Sequence, residues 1–128
     1  MEKNFTKWHD LKTKLQKADK IVYFYEREIW FCSVGMNLGH EEDGKQDRFL
    51  RPVIVFKKFD SDTFWGIPLT SRLYTGVRYC QFSFRGRIST AMLSQMRFFD
   101  KKRFIRKVGE ISNVEFNRLK LQLRKMMQ

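Results

Sequence analysis

Cysteine, proline and histidine each occur only twice in these 128 residues, and each scarcity closes off a class of protein. Cys32 and Cys80 lie far apart inside apolar runs, with no Cys-x-x-Cys and no His/Cys cluster beside either. Free buried thiols are expected, and neither a disulfide framework nor a bound metal or other cofactor. Two prolines and seven glycines leave no Pro/Gly/Ser-rich linker, so residues 1–128 are expected as a single domain with its own core. No apolar run approaches the ~18 residues of a membrane span, and the polar, basic N-terminus lacks the apolar stretch of an export signal. No membrane association is expected, and the expected location is the cytoplasm. Carboxylates are also in deficit: 14 Asp/Glu face 26 Lys/Arg, a formal net charge of +12.

What is abundant is aromatic and apolar side chain. Aromatics make up 16% of the chain, with 13 Phe, and hydrophobic residues 42%, which favours a packed globule over disorder. The charge is unevenly spread. Residues 1–20 hold six Lys/Arg and three Asp/Glu, residues 21–83 hold eight of each, and residues 84–128 hold twelve and three. A basic last third suits a polyanionic partner, either a nucleic acid or an acidic protein.

Apolar spacing of three to four residues at Phe5, Trp8, Leu11 and Leu15 predicts a helix over residues 4–18, within a helical extension covering residues 1–20. Glu28 to Val34 is β-branched and aromatic and predicts a buried strand. A long polar loop follows from Gly35 to Leu50. Arg51 to Lys58 and Thr63 to Leu69 predict two strands joined by a turn at Phe59-Asp60-Ser61-Asp62. Val77 to Phe84 alternates, Arg85-Gly86-Arg87 turns the chain, and Ile88 to Leu93 returns. Asp100 to Ile105 reads as a short helical turn. Ser112-Asn113-Val114-Glu115 matches a capping box opening a last helix that buries Phe116, Leu119, Leu123 and Met126. About five short strands plus a terminal helix imply a mainly β chain, curled into a small antiparallel barrel.

Three short stretches carry groups suited to a phosphodiester. Arg51 precedes Pro52 at the mouth of a strand; a guanidinium can grip two phosphate oxygens, and the following proline restricts Arg51 to extended backbone. A salt-bridge arginine would look the same. Thr70 and Ser71 close the next strand, where hydroxyls either cap the backbone or bind a substrate oxygen. His40 and Glu41 sit in the long loop as candidates for proton transfer. Lys45 and Arg48 could engage a phosphate backbone and Phe49 could stack on a base, or all three could belong to a solvated loop.

Gly39-His40-Glu41, Arg51-Pro52-Val53-Ile54-Val55, Leu69-Thr70-Ser71, the stretch Leu93 to Arg103 and Val108-Gly109-Glu110-Ile111-Ser112 occur in an order that resembles the MazF/PemK (Kid) family of toxin endoribonucleases. The resemblance runs from about Glu28 to Lys125 and assigns residues 28–128 to the family's barrel and C-terminal helix. It implies an SH3-like barrel with a C-terminal helix, to which the N-terminal helix is an addition. It also implies a homodimer, a single-stranded RNA substrate and an acidic antitoxin partner. It assigns catalysis to Arg51 and Thr70, with His40 or Glu41 taking the 2′-OH proton. Arg51 would stabilise the phosphorane and is a candidate for protonating the leaving group; no metal is required, and the ends are a 2′,3′-cyclic phosphate and a 5′-OH. Gln95 and Arg97 fall on the interior or interface side of the pattern and read as structural. Where Kid-like members carry Arg-x-Asp, this chain has Met92-Leu93-Ser94, which leaves room for a non-catalytic RNA-binding barrel. The related gyrase-poisoning CcdB toxins share the barrel but typically end in a tryptophan-containing tip, unlike Lys125-Met126-Met127-Gln128.

Overall fold

The computed structural model describes residues 21–34 and 50–128. The helix expected over residues 4–18 and residues 35–49 of the expected loop lie outside them, and with these His40, Glu41, Lys45, Arg48 and Phe49; Leu50, expected to end that loop, instead opens a strand. Seven strands follow in chain order: β1 Glu28–Ser33, β2 Leu50–Lys58, β3 Thr63–Thr70, β4 Tyr79–Phe84, β5 Arg87–Met92, β6 Arg97–Asp100 and β7 Phe104–Glu110. The helix α1, Asn113–Met126, closes the chain. The strands run β4-β5-β3-β2-β1-β7, with β6 added against β3. Every pairing is antiparallel.

The curl of the sheet depends on β3. Its first half pairs with β6 from Thr63 to Gly66, while its last two residues, Leu69 and Thr70, pair with Ala91 and Thr90 of β5. One strand therefore belongs to both ends of the barrel. Gly66 makes this possible: a Cβ there would lie 2.5 Å from Val53 Cγ1 and 2.9 Å from both Phe64 and Phe99. Only a glycine lets those side chains close over the strand.

Period-two alternation then divides the apolar residues between two cores. Ile29, Ile54, Ile67 and Leu69 face α1, where Phe116, Leu119 and Leu123 meet Phe82 and Leu93. Trp30, Cys32, Val53, Val55, Phe64 and Phe99 line the opposite side with Phe24. Ser112 caps the helix as expected, its hydroxyl accepting from the Glu115 N–H at 3.1 Å. The Glu115 carboxylate, however, does not complete a capping box; it accepts from the Ser83 N–H and from Arg118. Arg85 and Gly86, with φ of 52° and 76°, form the two-residue turn between β4 and β5.

Two expectations are corrected. Residues 97–110 form two strands, β6 and β7, separated by a single 3₁₀ turn at Lys101–Arg103, so seven strands stand where about five were expected. Val77 and Arg78 precede β4, because Gly76 adopts φ of 116° and its carbonyl accepts from the Tyr79 N–H.

One buried acid ties the barrel shut. Glu28 is almost fully enclosed and accepts from the Tyr25 N–H at 3.0 Å, from Trp30 Nε1 at 2.9 Å and from Lys107 Nζ at 3.0 Å. Next to it, Arg27 holds a φ of 83°, unusual for a bulky side chain. Its guanidinium donates to the Ile111 carbonyl at 2.7 Å and pairs with Glu110 at 3.1 Å, which clamps β1 to the junction of β7 and α1.

Candidate active site

At the loop end of the sheet, β1 and β2 pair so that Arg51 faces Cys32 and Pro52 faces Phe31. Arg51 sits two residues before Val53 and shares its face. On the neighbouring strand Val53 is paired with Pro68, and Thr70 lies two residues beyond Pro68 on that same face. The pleat therefore brings the arginine and the threonine of the two separate motifs to one end of one surface. Both are half-buried, whereas Ser71 is exposed just past the strand.

Around Arg51 opens a cleft of about 310 Å³ lined by Val34, Arg51, Pro68, Gln95 and Arg97. Gln95 and Arg97 read as interior or interface residues in the sequence. Within the described chain both are exposed and line the cleft. Arg97 shares a face with buried Phe99, over whose ring its guanidinium sits at 5.2 Å, and it donates to the Val34 carbonyl at 2.9 Å. Arg103 donates to the Ser33 carbonyl at 3.3 Å. Two arginines of the later motif thus hold the end of β1, at the point where the chain departs toward His40 and Glu41.

Two guanidiniums and no carboxylate among the described lining residues make the cleft a site of positive potential, strengthened by its low-dielectric walls. Its chemistry suits an anion with several oxygens. Thr70 serves the backbone as well: its Oγ1 accepts from the Arg72 N–H at 3.2 Å, while buried Thr90 donates to the Arg72 carbonyl at 2.8 Å. Accepting one bond leaves the Thr70 O–H proton free to donate outward. The hydroxyl can cap the strand and bind an oxygen at once.

Neither thiol is a nucleophile here. Burial pushes Cys32 up to about 12, against a smaller downward pull from Arg103, and burial likewise raises Cys80. Both are protonated at neutral pH, and a thiol reacts as its thiolate. Among the described residues no group of three or more His, Cys, Asp or Glu could hold a metal ion.

Residues 25–127 match the sequence profile described as PemK-like, MazF-like toxin of type II toxin-antitoxin system. No curated protein matches the chain significantly in sequence. Among solved structures, the fold is similar to the Mycobacterium tuberculosis toxin MazF-mt6, with a TM-score of 0.60 at 10% identity, covering 79% of this chain and 96% of that one. It is also similar to an endoribonuclease in complex with its cognate antitoxin from a mycobacterial species, with a TM-score of 0.61 at 10% identity, covering 81% and 94%. At that identity the two structures speak for the fold alone.

Proposed function

The chain belongs to the PemK-like, MazF-like family of type II toxin–antitoxin toxins, and from that premise we propose that it is an endoribonuclease cutting single-stranded RNA in the Arg51 cleft. The 2′-oxygen attacks the adjacent phosphorus in line. The P–O2′ bond forms and the P–O5′ bond breaks, leaving a 2′,3′-cyclic phosphate and a 5′-OH. His40 or Glu41, from the segment between β1 and β2, takes the 2′-OH proton. Arg51 meets the negative charge that grows on the phosphorane, and Thr70 donates to a phosphate oxygen. A guanidinium keeps its proton in a protein, so Arg51 supplies charge and geometry, and the departing 5′-oxygen takes its proton from water. Gln95 and Arg97 orient the phosphate beside Arg51. Lys45, Arg48, Phe49 and Ser71 contact the flanking RNA, and no metal takes part. The protein acts in the cytoplasm as a homodimer until an acidic antitoxin covers it, a partner suited to its net charge of +12.

The observation that carries this reading is the cleft itself. Its two arginines and its neighbouring threonine come from three sequence segments, and its described lining holds no carboxylate to compete for them. The test is incubation with a long single-stranded RNA in EDTA, with the cut ends mapped. Cyclic phosphate and 5′-OH ends are expected. Arg51→Ala should lower the rate about 10²–10³-fold, as loss of one preorganised donor to an oxyanion does. His40→Ala should lower it and flatten its pH profile. Normal cutting by Arg51→Ala sinks the assignment, and RNA that is bound but never cut by the wild-type protein points to the non-catalytic barrel suggested by Ser94.

A further inference from the structure

From Thr63 to Phe99 and again from Phe116 to Gln128 the chain contains no Asp or Glu, while those segments hold five and four Lys/Arg. The fold packs them together: α1 lies across β4, and a trough runs between the helix and the loop leading out of β3. The trough consists of two clefts of about 400 and 200 Å³ that share Cys80, Arg118 and Gln122. At the helix end it is lined by Arg124 and Lys125, and at the other end by Tyr74 and Tyr79.

We infer that this trough is a second RNA subsite, holding the nucleotides that flank the scissile phosphate. The inference rests on the ribonuclease reading of the Arg51 cleft. Three features support it. Arg118 is committed to structure, donating to the Gln81 carbonyl at 3.1 Å and pairing with Glu115, which cancels its charge. Arg124 and Lys125 are exposed, and they oppose the partial negative charge of the helix C-terminus that would otherwise repel an anion.

The second feature is aromatic. Tyr74 and Tyr79 stack at 4.9 Å and 23°, with the Arg78 guanidinium 5.8 Å from the Tyr79 ring and Arg72 donating to the Tyr74 hydroxyl at 3.3 Å. Bases stack on such π-faces while cations track the backbone. An acidic peptide would use the cations and gain nothing from the rings, so the combination selects a single-stranded nucleic acid.

The third feature is continuity. Tyr74 follows Thr70 by four residues, so their Cα atoms lie within about 14 Å. The Arg72 N–H bond to Thr70 and the Thr90 bond to Arg72 fix that connection. A strand held at Thr70 reaches the trough within a few nucleotides.

The test compares the wild type with Arg124→Gln/Lys125→Gln on two substrates, a long oligoribonucleotide and a short one spanning only the scissile phosphate and its immediate neighbours. KM for the long substrate should rise roughly tenfold near physiological salt, and the salt slope of long-RNA binding should shrink by about 1.4, two single-strand phosphate contacts. Cleavage of the short substrate should stay at the wild-type rate, which also shows that the variant is folded. An unchanged KM and slope on the long substrate overturns the subsite. So does polyglutamate binding that needs these two residues while RNA binding does not, since the trough then serves an acidic protein. Failure of the wild type to cut either substrate rejects the ribonuclease reading instead, and the binding slope still decides the trough.

Discussion

Thr70 caps the end of a strand through its hydroxyl, and the proposed cleavage asks the same hydroxyl for a second bond. Thr70→Val keeps the shape and removes the hydroxyl. The lost bond to the Arg72 N–H should lower stability by about 1 kcal/mol, too little to unfold a domain of ordinary stability. Cleavage should nevertheless fall at least tenfold in kcat, and Thr70→Ser should restore it. A Val variant that cuts RNA at the wild-type rate reduces Thr70 to a strand cap. Arg51 and Thr70 became candidates through the order of the motifs, since an Arg-Pro dipeptide or a Thr-Ser pair alone reads equally as structural; the strand register sets both at one end of one face. Arg97 did not, because the resemblance puts it on the interior or interface side of its motif. It shares a face with buried Phe99, but at the end of β6 its guanidinium is exposed and lines the cleft. Glu28 opens the stretch predicted as a buried strand, but nothing in the sequence pointed to the three donors that hold its carboxylate there, Tyr25, Trp30 and the distant Lys107. Asp60, by contrast, announced its turn. The Asp62 N–H, the Thr63 hydroxyl and the Thr63 N–H hold its carboxyl below the usual range, so its contribution to the hairpin is present above the ordinary carboxylate pKa and lost as pH falls through the lowered value.

Strands were read well where both faces are apolar or cleanly alternate, as in β1 to β5. They were missed where pairing, more than pattern, defines them. β7 carries Arg106 and Lys107 in mid-strand, and its register against β1 is broken at Ile29/Trp30 and again at Phe31/Cys32. Such shifts erase a period-two signature. β6 is four residues long, below the length at which alternation can be counted. The element that matters most is β3, where a glycine argues locally against a strand. Gly66→Ala tests why it is there. The added methyl would overlap Val53, Phe64 and Phe99 together, so the variant should lose about 1–3 kcal/mol in urea melts, the range for an overpacked core. Gly86→Ala, at a turn whose Cβ would meet open space, is the matched comparison for backbone strain alone. Gly66 has no positive φ, so a Gly66→Ala variant as stable as the wild type would mean that Val53, Phe64 and Phe99 give way and that the glycine is not needed for close packing.

At the scale of the molecule, the same strand decides whether two cores behave as one. β3 gives Ile67 and Leu69 to the core beneath α1 and Phe64 to the core around Trp30 and Cys32. Exposing one core should therefore pull β3 away from the other. Alkaline pH offers a way to push on a single core, because Cys32 lies in the one without the helix. Its folded pKa of about 12 stands above an ordinary value of 9.0. Between those values the unfolded chain has released the thiol proton and the folded chain has not. The stabilising contribution is thus complete below pH 9 and is lost as pH rises toward 12, by up to about 1.4 kcal/mol for each pH unit. Cys32→Ala removes this term while leaving the lysines and tyrosines that titrate in the same range. Urea melts from pH 8 to pH 11 should show wild-type stability falling more steeply than that of the variant; parallel slopes would mean the thiol is reached by solvent without unfolding. Tryptophan fluorescence, to which Trp30 contributes, reports the Cys32 core, and ellipticity at 222 nm reports α1 on the other. If β3 couples them, both signals pass through one transition at each pH, as a two-state domain requires. Fluorescence that moves first would show the Cys32 core opening while the helix stays on the sheet, and would divide the barrel into two units at Gly66.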